Sequence, residues 1–128
     1  MQYPNILRYT FLIHIIIAFV FAVMFFLIPT VYIDLVVWPF ADLAAARRIG
    51  ALFFGLGIAA ILGYRAKTWE QVEIVVYLNI TWTIFGIIGL VWSFIENSAY
   101  PMMAYWLNVA ISALLFLLYL VSYLQART

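Results

Sequence analysis

Apolar residues fall in four long blocks, 7–28, 44–64, 71–95 and 102–124, and the charged residues gather in the breaks between them. Each block supplies the run of roughly 20 predominantly apolar residues that a helix needs to cross a bilayer. The pattern predicts an all-α fold, a polytopic integral membrane four-helix bundle that forms a single domain over residues 1–128. One further apolar segment, the connection 29–43, is too short to cross. Pro39 and the charges of Asp34 and Asp42 argue against a buried helix there. It is expected along the outer interface or folded over the bundle as a short lid, with Val36, Val37, Trp38 and Phe40 turned toward lipid or protein.

Local punctuation supports these boundaries. Pro29 ends the first block, because the residue before a proline is steered away from helical geometry. Thr68 and Gln71 have the spacing of a capping box, which places the start of the third helix there. Asn97 or Ser98 can cap the fourth helix, and Pro101 suits its first turn, where the missing N–H has no intrahelical partner in any case. Trp38, Trp69, Trp106, Tyr32, Tyr64 and Tyr100 lie near block ends and are expected as interfacial anchors with their polar edges wet. The first block is read as a retained helix, since it is long for a secretory signal and meets Pro29 without a small-x-small cleavage site.

Charge sets the expected orientation. Arg8, Arg65, Lys67 and Arg127 fall on one side of a four-span arrangement and Arg47 and Arg48 on the other, so both termini are expected in the cytoplasm. Arg47 and Arg48 open the second helix beside the positive end of its dipole, where a carboxylate such as Asp42 or Glu96 is expected to face them. Composition agrees with the block pattern: 70 % hydrophobic and 9 % charged residues are more apolar surface than a soluble domain of this length can bury. A net charge of +1 gives no field that would draw nucleic acid, and the absence of cysteine excludes disulfides, thiolate metal sites and cysteine nucleophiles.

The packing signal is a ribbon of small residues in the second block, Ala51, Gly55, Ala59 and Gly63, recurring every four residues. In lipid, close van der Waals contact between small residues is what holds helices together, so the ribbon marks a helix–helix seam, within the chain or between chains. Polar groups at membrane depth form three pairs, each on one helical face: Thr10 with His14, Asn79 with Thr83, and Asn108 with Ser112. Interhelical hydrogen bonds explain such groups structurally. Functionally, they are candidate ligand contacts, with His14 facing an internal cavity. The pairs are expected at different depths, too far apart for one tight site. A lone histidine makes neither a bis-imidazole haem site nor a multi-histidine metal site, and no catalytic residue, metal ligand set or cofactor is assigned.

The run AARRIGALFFGLGIAAILGYRAKTWEQVEIVVYLNITWTIFG, residues 45–86, resembles uncharacterised small four-span membrane proteins of bacteria and archaea. The likeness rests on Arg47, Gly50, Gly55, Gly57, Trp69, Trp82 and Gly86. It implies the architecture and carries over no catalytic residue, because no activity is established for that family. Small multidrug transporters are not matched, since the first block offers His14 where they hold an acid.

Two functions are weighed. The first is a non-enzymatic accessory subunit in the cell membrane, packing against other membrane subunits or in a homo-oligomer. The alternative is a cavity protein that binds or moves an apolar small molecule, a lipid or quinone, with His14, Asn79 or Asn108 orienting its polar head.

Overall fold

A computed structural model describes residues 1–36, 42–96 and 101–128. Among them the chain is all-helical, with α1 (Asn5–Phe26), α2 (Pro29–Val36), α3 (Leu43–Arg65), a single 3-10 turn (Trp69–Gln71), α4 (Glu73–Glu96) and α5 (Met102–Arg127). The four long helices, α1, α3, α4 and α5, are each long and apolar enough to cross a membrane. At about 1.5 Å per residue even the shortest extends some 33 Å, against a hydrocarbon core of roughly 30 Å.

Helix boundaries follow local chemistry. α1 stops at Phe26, and Pro29 then opens a new helix, a position where its missing N–H leaves no bond unmade. The connection 29–43 was expected without a buried helix, yet α2 forms and buries Pro29, Tyr32 and Val36. It can do so because those residues share one helical face while Asp34 stays exposed on another. Val37, Trp38, Pro39 and Phe40 lie outside the described residues.

Asp42 is engaged at the N-terminus of α3, its Oδ1 accepting the Ala45 N–H at 3.0 Å. Glu96 accepts the Trp92 indole N–H at 2.7 Å. Each carboxylate expected opposite Arg47 and Arg48 thus accepts a hydrogen bond from its own segment of chain. The Thr68–Gln71 capping box is present, with Gln71 Oε1 accepting the backbone N–H of Lys67 at 2.9 Å and of Thr68 at 3.4 Å. It opens the 3-10 turn, and α4 proper begins at Glu73. Asn97 and Ser98 lie outside the described residues, and Pro101 stands just before α5 as its N-cap.

Both chain ends lie at one end of the molecule, where the Gln2 N–H donates to the Ala126 carbonyl at 3.2 Å. The turn after α3 joins them. Tyr3 donates its hydroxyl to the Gly63 carbonyl at 2.7 Å, and Arg8 donates to the Ala66 carbonyl at 3.4 Å. Burial raises the Tyr3 phenol pKa above its ordinary value, which keeps the donated proton in place.

α1 is the central element, packed along α3 and also against α5, while α4 packs on α5. α3 and α4 follow one another in sequence yet touch only sparingly. One apolar cluster, including Leu7, Phe11, Trp69, Val76 and Tyr119, fills the end that holds the termini. Another, with Phe21, Tyr32, Val36 and Ala104, fills the opposite end. Trp69 and Tyr32, at 2 % and 5 % exposure, are therefore core residues and not interfacial anchors. Near a span end, a ring can turn inward as readily as outward, and the sequence position alone does not decide which. Trp106 and Tyr64 remain exposed, and Trp38 and Tyr100 lie outside the described residues.

The α1–α3 seam runs antiparallel through glycine. A Cβ added at Gly50 would stand 2.6 Å from the backbone nitrogen of Phe26, one at Gly57 would stand 2.8 Å from the Phe19 ring, and one at Gly63 would stand 2.5 Å from the Phe11 ring. The ribbon Ala51–Gly55–Ala59–Gly63 does not follow this seam. Ala51 and Gly55 are exposed, Gly55 has no atom near an added Cβ, Ala59 is half-buried, and Gly63 is buried against the Phe11 ring of α1. A strict four-residue step advances about 40° beyond a full turn, so the ribbon winds around α3 and reaches the seam at its last member. The buried face instead consists of Ala46, Gly50, Leu56, Gly57, Ala60 and Gly63.

Four alanine substitutions should separate these positions in thermal unfolding followed by helical ellipticity. Gly50→Ala presses on backbone and Gly63→Ala on the fully buried Phe11 ring, so each is expected to destabilise by about 1–3 kcal/mol. Gly57→Ala meets the partly exposed Phe19 ring, which can turn away, and should cost less. Gly55→Ala should be neutral or mildly stabilising.

Candidate functional site

His14 sits on α1 about 14 Å from the helix start, close to mid-length, with 2 % exposure. The Tyr119 hydroxyl of α5 lies 2.6 Å from its Nδ1, and the two rings meet edge to face at 5.7 Å between centroids. One turn earlier on α1, Thr10 Oγ1 stands 3.4 Å from Ser122 Oγ on α5. Each hydroxyl also lies within donating distance of a carbonyl on its own helix, Thr10 of Ile6 at 2.8 Å and Ser122 of Leu118 at 2.7 Å, so with one proton apiece at most one of them donates across the helices at a time. The α1–α5 contact is thus a polar rung below an aromatic one. Tyr119 and Ser122 carry half of it, and nothing in the sequence marked them, because a tyrosine and a serine in an apolar helix have no spacing that names their partners.

The other predicted pairs behave differently. The Asn79 amide donates to the Val75 carbonyl at 2.9 Å, and Thr83 donates to the Asn79 carbonyl at 2.7 Å, both within α4. Asn79 Oδ1 is buried without a partner among the described residues. Asn108 donates to the Ala104 carbonyl at 2.7 Å on its own helix and to the Tyr32 hydroxyl of α2 at 3.3 Å. Of the polar groups expected to bond between helices, therefore, Thr10, His14 and Asn108 do so, while Asn79 and Thr83 turn back on their own backbone.

A cavity of about 250 Å³ lies between the helices. All four long helices wall it: Ile17, Phe21 and Phe25 from α1, Ile49 and Phe53 from α3, Trp82, Gly86 and Leu90 from α4, and Ile111 and Leu115 from α5. Its polar groups are His14, Thr83, Asn108 and Ser112. Four of the six candidate ligand residues thus line one space despite their spread along the helices, its wall reaching from His14 to Phe25 on α1 and from Asn108 to Leu115 on α5. Thr10 and Asn79 do not line it. α3 and α4, which touch only sparingly, contribute Ile49 and Trp82 to its wall, each 42 % exposed. A second space of about 280 Å³ adjoins it toward α2, sharing Phe25, Ile49, Leu90 and Asn108 and adding Tyr32 and Asp42.

The chemistry on offer is recognition. An apolar wall fixes the body of a guest, and a few polar groups fix its orientation. A scan of family models and searches of curated proteins and of solved structures found nothing that matches this chain.

Tyr119→Phe keeps the ring against Phe11, at 5.7 Å between centroids, and removes only the hydroxyl. It should lower stability in detergent by roughly 0.6–2 kcal/mol, the range for a single hydrogen bond in an apolar setting. Tyr119→Ala removes the buried ring as well and should cost about 3–5 kcal/mol. Chemical unfolding of the two variants side by side measures the difference.

Proposed function

We propose that this chain is a multi-pass protein of the cell membrane, with both termini cytoplasmic, whose four-helix bundle binds an apolar small molecule such as a lipid or quinone between the helices. One observation carries this reading: a cavity walled by all four long helices is apolar except for His14, Thr83, Asn108 and Ser112. The exposed rims at Ile49 and Trp82 suit exchange with the surrounding lipid. In this role the protein binds and positions its guest without transforming it.

A second reading, that of an accessory subunit or homo-oligomer, draws on the outer face of α3. Ala51 and Gly55 are exposed, and nothing lies within 4 Å of a Cβ placed at Gly55. A helix of another chain could approach closely there.

Gentle extraction from native membrane followed by mass measurement of everything retained separates the two. One small apolar molecule per chain is expected, and its absence would refute the binding role. Recovery of a stoichiometric protein partner, lost in Gly55→Leu, would favour the subunit role. Gly86 lines the cavity and has no atom within 4 Å of an added Cβ, so Gly86→Leu should fill the space and expel the guest while helicity is kept.

Because the chain has no cysteine, single replacements at Asp34 and Lys67 report topology. A membrane-impermeant maleimide should reach Asp34→Cys in intact cells and Lys67→Cys only after permeabilisation.

A further inference from the structure

A neutral imidazole carries one N–H, and the position of that proton on His14 follows from its neighbour. Tyr119 is fully buried, and its hydroxyl has His14 Nδ1, at 2.6 Å, as its hydrogen-bond partner among the described residues. If Nδ1 held the proton, the Tyr119 O–H would be left without an acceptor in an apolar interior, a cost of roughly 1–3 kcal/mol. Donation from Tyr119 to Nδ1 satisfies both groups and leaves the proton on Nε2. That nitrogen has no partner among the described residues, and its side chain, 2 % exposed, lines the cavity.

The other polar groups of the cavity sort by the same reasoning. The Thr83 hydroxyl proton is committed to the Asn79 carbonyl, and the Asn108 amide donates to Ala104 and Tyr32. Ser112 lines the same space with a hydroxyl able to donate. Thr83 and Asn108 keep oxygens able to accept, while the unspent donors of the lining are the His14 Nε2–H and the Ser112 hydroxyl, and a polar head seated at these donors must accept.

Resting on the binding role proposed above, we infer that the cavity holds the carbonyl head of an apolar molecule, seated on the Nε2–H of His14, with Tyr119 as the positioning residue that fixes the imidazole tautomer. The head is a quinone or ester carbonyl, and the two share the acceptor chemistry that the site reads.

His14 is the only histidine of the chain, so isotopic nitrogen labelling of histidine gives a single imidazole to observe. Three probes are added to the full chain in detergent micelles: a short-chain alkyl-benzoquinone, a fatty-acid methyl ester, and an alkylbenzene with the same apolar bulk and no carbonyl. Without a probe, the imidazole should be neutral with its proton on Nε2, and Tyr119→Phe should abolish that preference. A carbonyl probe should shift the Nε2–H resonance and bind about tenfold tighter than the alkylbenzene, the equivalent of one hydrogen bond. A shift with only one of the two carbonyl probes identifies the source of the head. A proton on Nδ1, or equal binding of all three probes with no shift at Nε2, would overturn the inference and leave the binding role standing. Failure of all three to bind would overturn both.

Discussion

The close approach of α1 to α3 is the constraint on which the rest of the structure depends. At Gly50, Gly57 and Gly63 the missing side chains admit the Phe26 backbone and the Phe19 and Phe11 rings, and at Gly50 and Gly63 an added Cβ would press on backbone or on a fully buried ring. Where the solvent is lipid, apolar side chains gain little by leaving it, so such van der Waals contact is the main attraction left between helices. The contacts step seven and then six residues along α3 against seven and then eight along α1, so the first step returns to nearly the same side of both helices after two turns and the second moves around them. Together the three contacts extend over most of both helices.

The seam also explains the cavity. α3 is drawn to α1 and not to its sequence neighbour α4, although only residues 66–72 separate the two helices. α4 is held instead by α5, and α5 by α1 through the Thr10–Ser122 and His14–Tyr119 contacts. Two helices tied to a central pair, and barely to each other, leave space on the side they share. Large side chains such as Phe53 and Trp82 line that space without closing it, and Gly86 leaves it wide.

Polar residues in such an interior fall into two kinds. Thr83, Asn79 and Asn108 satisfy donors on carbonyls one turn earlier in their own helices, which requires no neighbour. His14 cannot, because an imidazole does not reach back in this way, and it finds Tyr119 across the gap. His14 is also the one polar residue of α1 among those that line the cavity.

Block lengths and hydropathy by themselves determined the four long helices to within a few residues at most ends, because about 20 consecutive apolar residues admit few other structures. Capping chemistry at Thr68 and Gln71 was equally legible, being a contact between residues three apart. Four members of the cavity were legible as polar residues at depth: His14, Thr83, Asn108 and Ser112. What tertiary structure alone decided is which face each helix turns inward. The ribbon through Ala51 and Gly55 and the glycines at 50 and 57 look equally suitable in one dimension, and only Phe26 and Phe19 of α1, 24 and 38 positions away, choose between them. The same holds for Trp69 and Tyr32, buried by partners distant in sequence, and for Tyr119, whose role exists only because α5 lies against His14. Local spacing carries information about a helix; the choice of face is a property of the pair.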